Sequence, residues 1–321
     1  PAGTPGDRGE PGVVVLPFRS QGTSEDGRFL AEGISQELIA QLMGFAGLRI
    51  YMQSPQIDAG AGGGSPARLG RDLGVAYVVT GSVGVEGENV RVFIQLFDAA
   101  TSEVVWASGY NRPFAPGALM EMQRDLAVEV ASALGQTYGV VNTAALEMRR
   151  PAETVSASIP SYVCVMQAYS YRRDFSRATF GPALACLEEA VQRDPAYPDA
   201  LAMLGWLHLD AGRWQYLPDV PREESYARAF DAASRAYALD PHNILALKAL
   251  AAINHYMGRY DEGERLAREA VALNPHDPDA LAQLGWRLAV RGKFEEGVPL
   301  IERAVARSIS PPAWYTYLIA I

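Results

Sequence analysis

Val13 to Leu16 is a short apolar, β-branched run ended by Pro17, the pattern of a buried strand. Residues 25–43 then change to helical spacing, with Phe29, Leu30, Ile34, Leu38, Ile39 and Leu42 on one predicted apolar face and Gly47 as the expected C-cap. Leu48 to Met52 reads as a second strand. The glycine-rich stretch Ala59 to Ser65 leads to a short helix over Pro66 to Leu73. Three strands follow, over residues 76–85, 89–98 and 103–110, with Gly87-Glu88 as a tight turn between the first two. In the middle one Val90, Val92, Ile94 and Leu96 alternate with Arg91, Phe93 and Gln95, so one face meets a core and the other is more open. An amphipathic helix over 118–138 closes the series. The predicted order is β-α-β-α-β-β-β-α, an α+β domain of two layers.

The second half repeats itself. Leu250 recurs as Leu284, Gly258 as Gly292, Tyr260 as Phe294, Ala270 as Ala304 and Pro241 as Pro275, every time at an offset of 34 residues. That is the tetratricopeptide period. Small residues let paired helices approach, large aromatics fill the space beside them, and proline stops the second helix. Leu204, Gly205, Gly212, Trp214, Ala236 and Pro241 fit the same template one repeat earlier, with an insertion near residues 215–224. Phe180, Ala183, Leu187, Ala190 and Pro195 mark the second helix of a still earlier repeat, whose first helix lies near Tyr162 to Tyr171. Four repeats and the start of one further helix are expected, forming an all-α solenoid with a concave groove.

First helices line such a groove. Placed by the template, Asp199, Ala202, Trp206 and Asp210 face inward in the second repeat. Leu245, Lys248, Ala252, His255 and Tyr256 do so in the third, and Asp279, Ala282, Trp286 and Val290 in the fourth. Trp206 and Trp286 hold the same template position. They read either as anchors for a protein or peptide partner or as packing residues.

The segments 13–18 (VVVLPF), 30–34 (LAEGI), 73–83 (LGVAYVVTGSV), 95–101 (QLFDAAT) and 105–110 (VWASGY) together resemble the TolB-like domain family. In that family the domain often lies between an upstream class III adenylate cyclase or winged-helix regulator domain and downstream tetratricopeptide repeats. The resemblance implies a sensory or interaction role and carries no catalytic residues over. The organisation expected is a flexible linker over 1–12, a TolB-like domain over 13–141, a linker over 142–158 and repeats over 159–321. Both ends of the chain look cut, so the expectation is a piece of a longer protein.

Composition narrows the functions. With 49% hydrophobic and 20% charged residues the chain is that of an ordinary globular protein, and its formal net charge of −9 argues against a nucleic-acid surface. A membrane is expected only through an upstream anchor. The loop Gly60 to Ser65 lacks the Gly-Lys-Ser/Thr ending of a phosphate loop and reads as a mobile loop. The four histidines, His208, His242, His255 and His276, form no metal-ligand motif. His208 reads as a packing residue and His255 as a groove contact. No cofactor, metal or catalytic residue is expected.

The two cysteines, Cys164 and Cys186, lie equidistant from the turn of the first helical hairpin. They read as a disulfide, with two separate buried thiols as the alternative. A disulfide, together with the TolB-like resemblance, points to the periplasm; the cytoplasm is the alternative. The functional expectation is a non-catalytic protein-interaction region of a bacterial signalling protein. Its alternatives are a self-assembling scaffold, for instance a homodimer, and an enzyme with an interdomain site.

Overall fold

The computed structural model describes residues 10–22, 24–45, 47–52, 66–87, 89–113, 116–136, 139–147, 161–308 and 311–317. The chain separates into two compact units, one built mainly from residues 10–135 and one mainly from 146–321. The glycine loop at 60–65, Glu88 of the expected turn, and most of the two expected linkers lie outside the described residues.

The N-terminal unit is a mixed sheet with helices. Its strands are β1 (Gly12–Val15), β2 (Arg19–Gln21), β3 (Arg49–Met52), β4 (Tyr77–Glu86), β5 (Asn89–Asp98) and β6 (Val104–Pro113). Its helices are α1 (Glu25–Leu42), α2 (Pro66–Leu73), α3 (Leu119–Gly135) and α4 (Val140–Glu147). The sheet order is β3-β1-β4-β5-β6, and β2 pairs with β4 beside that path. β1 is parallel to both β3 and β4, while β4, β5 and β6 form an antiparallel meander. Pairing of Glu86 with Asn89 leaves two residues for the β4–β5 turn, where Gly87 takes a φ of 59°.

The hydrophobic pattern explains the layers. Val90, Val92, Ile94 and Leu96 all point into the core with Leu30, Ile34, Leu38, Leu126 and Val130 of α1 and α3. The opposite face of β1 and β4, through Val14 and Val78, packs with Leu69 of α2. Asp98 fixes the β5–β6 turn, its Oδ1 accepting from the amides of Ala100 and Thr101 at 2.8 and 2.7 Å.

Several local expectations differ from the structure. Phe29 is exposed, because the buried stripe of α1 runs through Leu30, Ile34, Leu38 and Leu42 and leaves its neighbour about 100° to one side. Met43, not Gly47, caps α1: its amide donates to the carbonyl of Ile39, and the next amide, that of Gly44, donates to the carbonyl of Gln41. Gly12 is already in β1, and α4 occupies the start of the expected second linker. The element order therefore gains β2 and α4.

The C-terminal unit is helical: α5 (Ser161–Asp174), α6 (Arg177–Arg193), α7 (Pro198–Trp214), α8 (Arg222–Leu239), α9 (Ile244–Tyr256), α10 (Tyr260–Leu273), α11 (Pro278–Val290), α12 (Phe294–Arg307) and a 3-10 turn at Ala313–Tyr315. Each odd-numbered helix packs on the next even one as an antiparallel hairpin. Gly258 and Gly292, one period apart, turn the third and fourth hairpins with φ of 79° and 80°, a region that costs other residues energy. At Gly285 a Cβ would lie 2.7 Å from the Gly297 carbonyl, so α11 and α12 approach only because no side chain intervenes. Cys164 on α5 and Cys186 on α6 are bonded, with their Cα atoms 5.3 Å apart.

Candidate functional site

The residues that the template points inward form two polar clusters on the odd-numbered helices. The first is centred on Lys248 of α9. Its Nζ lies 3.0 Å from Asp277 Oδ2 and 2.8 Å from Asp279 Oδ2 of α11. All three are buried. Burial opposes the Lys248 charge, but Asp277 and Asp279 outweigh it and hold the ammonium well above its ordinary value. Asp277 also caps α11 by accepting from the Asp279 amide at 2.9 Å. Asn243, the N-cap of α9, donates to Asp199 Oδ1 at 2.6 Å. The Tyr315 hydroxyl donates to Asp279 Oδ1 at 3.4 Å.

The second cluster is built on guanidinium and aromatic groups. Arg172 of α5 stacks on Trp206 of α7, with Cζ 3.4 Å from the ring centroid. Arg172 Nε lies 3.9 Å from Asp210 Oδ2, while Arg213 Nη1 meets Asp210 Oδ1 at 2.9 Å. Arg213 in turn lies over Tyr256 of α9, 4.4 Å from its centroid. Tyr256 stacks on Trp286 of α11 at 6.4 Å and 29°, and His255 meets Trp286 edge-on at 5.4 Å. Arg287 of α11 is buried and donates to the Gln283 carbonyl and Oε1. Burial, with Arg172 and Arg213 adding to it, pushes the Arg287 guanidinium down to about 9. Burial raises Asp210 above its ordinary value despite Arg172 and Arg213. Burial also lowers His255 to about 4, with Arg287, Arg291 and Arg213 adding to the effect, so it is neutral at pH 7.

These positions correct the sequence-based picture of the groove. Asp199, Trp206, Asp210, Lys248 and Asp279 are buried and committed to partners within the array, not projected into an open channel. Trp206 and Trp286 share a template position but not an environment: Trp206 is 3% exposed beneath Arg172, whereas Trp286 is half-buried. His255, Tyr256, Trp286 and Val290 are the expected groove residues that keep an open side, and the first three lie together. Sequence reading missed Arg172, Arg213 and Arg287. A signal was present: Arg172 and Arg213 stand in the last turns of α5 and α7, level with the ends that carry the aromatic residues.

Among the described residues no group of three or more His, Cys, Asp or Glu is placed to hold a metal ion. No helix among them is long and apolar enough to cross a membrane. The N-terminal unit contains a cavity of about 410 Å³ at the end of β1, lined by Val15, Phe18, Ser20, Ala31, Ser35 and Ile39 among others.

The profile of the tetratricopeptide repeat family matches residues 168–215 and 255–313. The C-terminal region carries tetratricopeptide repeats. A Rhizobium meliloti (strain 1021) protein named "Putative adenylate cyclase 3" is 25% identical over 255 residues, which are 79% of this chain and 42% of that protein. The chain therefore spans less than half the length of this relative. Among solved structures, a thermophilic TPR protein of Thermus thermophilus aligns over 64% of this chain and 95% of its own, at 16% identity and a TM-score of 0.42. The second TPR of the protein Spaghetti, solved with an HSP90 peptide, aligns over 32% of this chain and 92% of its own, at 23% identity and a TM-score of 0.26.

Proposed function

We propose that this chain is a non-catalytic interaction region of a bacterial signalling protein, whose repeat array takes a segment of a partner protein against Arg213, Tyr256 and Trp286. The observation that carries this is the contrast between the two equivalent tryptophans. One is sealed by Arg172, and the other is left half-open beside Tyr256, His255 and Arg213. Half-buried Trp, Tyr and Arg held rigidly by stacking are the residue types that dominate protein interfaces, because they bury much area with little loss of rotamer freedom.

The signalling context is part of the same proposal. The named relative supports an association with cyclic-nucleotide signalling, and the TolB-like resemblance of residues 13–140 supports an accessory role beside a separate output domain. The Cys164–Cys186 bond supports the periplasm as the compartment.

The test compares the intact chain with Trp286→Ala. Partners captured from periplasmic extract are identified, purified and titrated against both forms. An anchor of this kind is worth at least about 2 kcal/mol, so affinity should fall roughly thirtyfold while the melting curve stays near that of the parent. A folded variant that binds each purified partner as tightly as the parent removes this face from the interaction.

A further inference from the structure

The cavity of about 410 Å³ in the N-terminal unit falls within the roughly 300–1,000 Å³ that small-molecule sites occupy. It lies at the carboxyl end of β1, a strand parallel to both β3 and β4. The chain leaves β1 for β3 on one side and β4 for β5 on the other, with α1 and α2 on opposite faces of the sheet. Crevices outside the carboxyl ends of parallel strands, where such connections diverge, are where open α/β sheets hold ligands. Residue size opens this one. Leu30, Ile34 and Leu38 of α1 go to the core, while the adjoining stripe, Ala31 and Ser35, is short and leaves a gap beside Pro17 and Phe18. Phe18 in turn lies against Gly81 of β4, where a Cβ would come within 2.6 Å of its ring. Arg28, Glu32 and Gln36 form an exposed polar rim along α1.

We infer that this cavity binds an uncharged small molecule with an apolar body and a hydroxyl group. The inference concerns the N-terminal unit and goes beyond the interaction reading of the repeats. Val15, Phe18, Ala31 and Ile39 supply apolar walls, and Ser20 and Ser35 supply polar groups within them. The Ser20 Oγ is buried and has no hydrogen-bond partner. A buried hydroxyl nearly always has one, and a bound molecule would provide it. Ser35 donates its proton to the carbonyls of Ala31 and Glu32, at 3.0 and 2.9 Å, and keeps acceptor capacity alone. A ligand hydroxyl both accepts and donates, and so suits the two serines together; a carboxylate cannot donate and an ammonium cannot accept. The rim adds no preference for charge. It carries one cation, Arg28, and one carboxylate, Glu32, and each has a partner on α1, Glu25 and Gln36 respectively. A charged ligand would lose its hydration against apolar walls without a free counter-charge.

Four probes of similar length test it: hexan-1-ol, methyl pentyl ether, hexanoate and hexylammonium. Each is titrated at pH 7 into the isotope-labelled full chain, and backbone amide shifts are followed by NMR. Hexan-1-ol should move the amides of Ser20, Ala31, Ser35 and Gln36 saturably. It should bind at least about tenfold more tightly than either charged probe. It should exceed the ether, which accepts but cannot donate, by roughly fivefold, the worth of one hydrogen bond. Ser35→Ala should erase the difference between alcohol and ether. Ala31→Leu should fill the floor of the cavity and abolish binding of both. Ala31→Leu adds bulk to the interior, so its melting curve is recorded, and Ser35→Ala carries the decision if that variant does not fold. The inference is overturned by any of four results: no saturable shift with hexan-1-ol; a charged probe or the ether binding as tightly as the alcohol; an alcohol preference that survives in folded Ser35→Ala; or undiminished binding by folded Ala31→Leu. The reading of the repeats stands or falls separately, on Trp286→Ala.

Discussion

The guanidinium of Arg172 lies 3.4 Å above the indole of Trp206, on a helix that belongs to a different repeat, and both side chains are buried. The contact joins α5 to α7 and turns a template position that faces the groove into part of the core. Trp206→Ala should therefore act on stability. Removing a buried tryptophan costs about 3–5 kcal/mol, through lost contacts and the cavity left behind. Chemical denaturation should show that loss at an unchanged m-value, whereas Trp286→Ala should move the midpoint far less.

Lys248 holds two carboxylates from the next repeat, and all three groups are out of water. Lys248→Met should destabilise the array by about 3–5 kcal/mol, chiefly because Asp277 and Asp279 then lose their counter-charge while still buried. The double variant Lys248→Met with Asp279→Leu should lose less than Lys248→Met alone. Equal losses would show that the pair adds nothing beyond side-chain packing.

His208 of α7 is buried, and its Nδ1 has no hydrogen-bond partner. Burial, with a smaller contribution from Arg228, lowers it from 6.5 to about 4. The sign follows from which state takes up the proton first. As pH falls below 6.5 the unfolded chain protonates His208 while the folded one does not, so stability is lost down to the folded value near 4. The loss amounts to about 3 kcal/mol by pH 4. Denaturation midpoints between pH 7 and 4 should fall less steeply in His208→Phe than in the parent. Parallel curves would show that His208 takes up its proton over the same pH range in the folded and the unfolded chain.

What the sequence made legible depended on how many residues repeated a signal. The period at Gly258 and Gly292, and at Tyr260 and Phe294, is carried by turn geometry and helix contact, and both are local consequences of residue size. The alternation in β5 was equally plain, because one face meets the core at each of Val90, Val92, Ile94 and Leu96. β2 was not legible: Arg19, Ser20 and Gln21 have no apolar alternation, and the strand exists because β4 extends past β1 and offers it free backbone groups. The groove failed for a different reason. A template states which way a residue points but not what stands opposite. Arg172, beyond the strict period of the later repeats, decides that Trp206 is sealed, and no equivalent contact among the described residues seals Trp286 to the same degree.

The bond between Cys164 and Cys186 closes a loop of 22 residues between α5 and α6. Constraining the unfolded chain over such a loop stabilises the fold by about 3 kcal/mol in the chain-entropy account. α5 supplies Arg172, so the hairpin that the bond ties also carries one wall of the guanidinium cluster. Reduction should lower the melting temperature of the parent and leave a Cys164→Ala, Cys186→Ala double variant unaffected. It should also loosen α5 and α6 more than α9 to α12, which hydrogen exchange can report helix by helix. Mass spectrometry of protein alkylated without reductant should find no modified cysteine. Two alkylated cysteines in the folded protein, with a melting temperature indifferent to reductant, would place the chain in a reducing compartment and remove the bond from the argument for the periplasm.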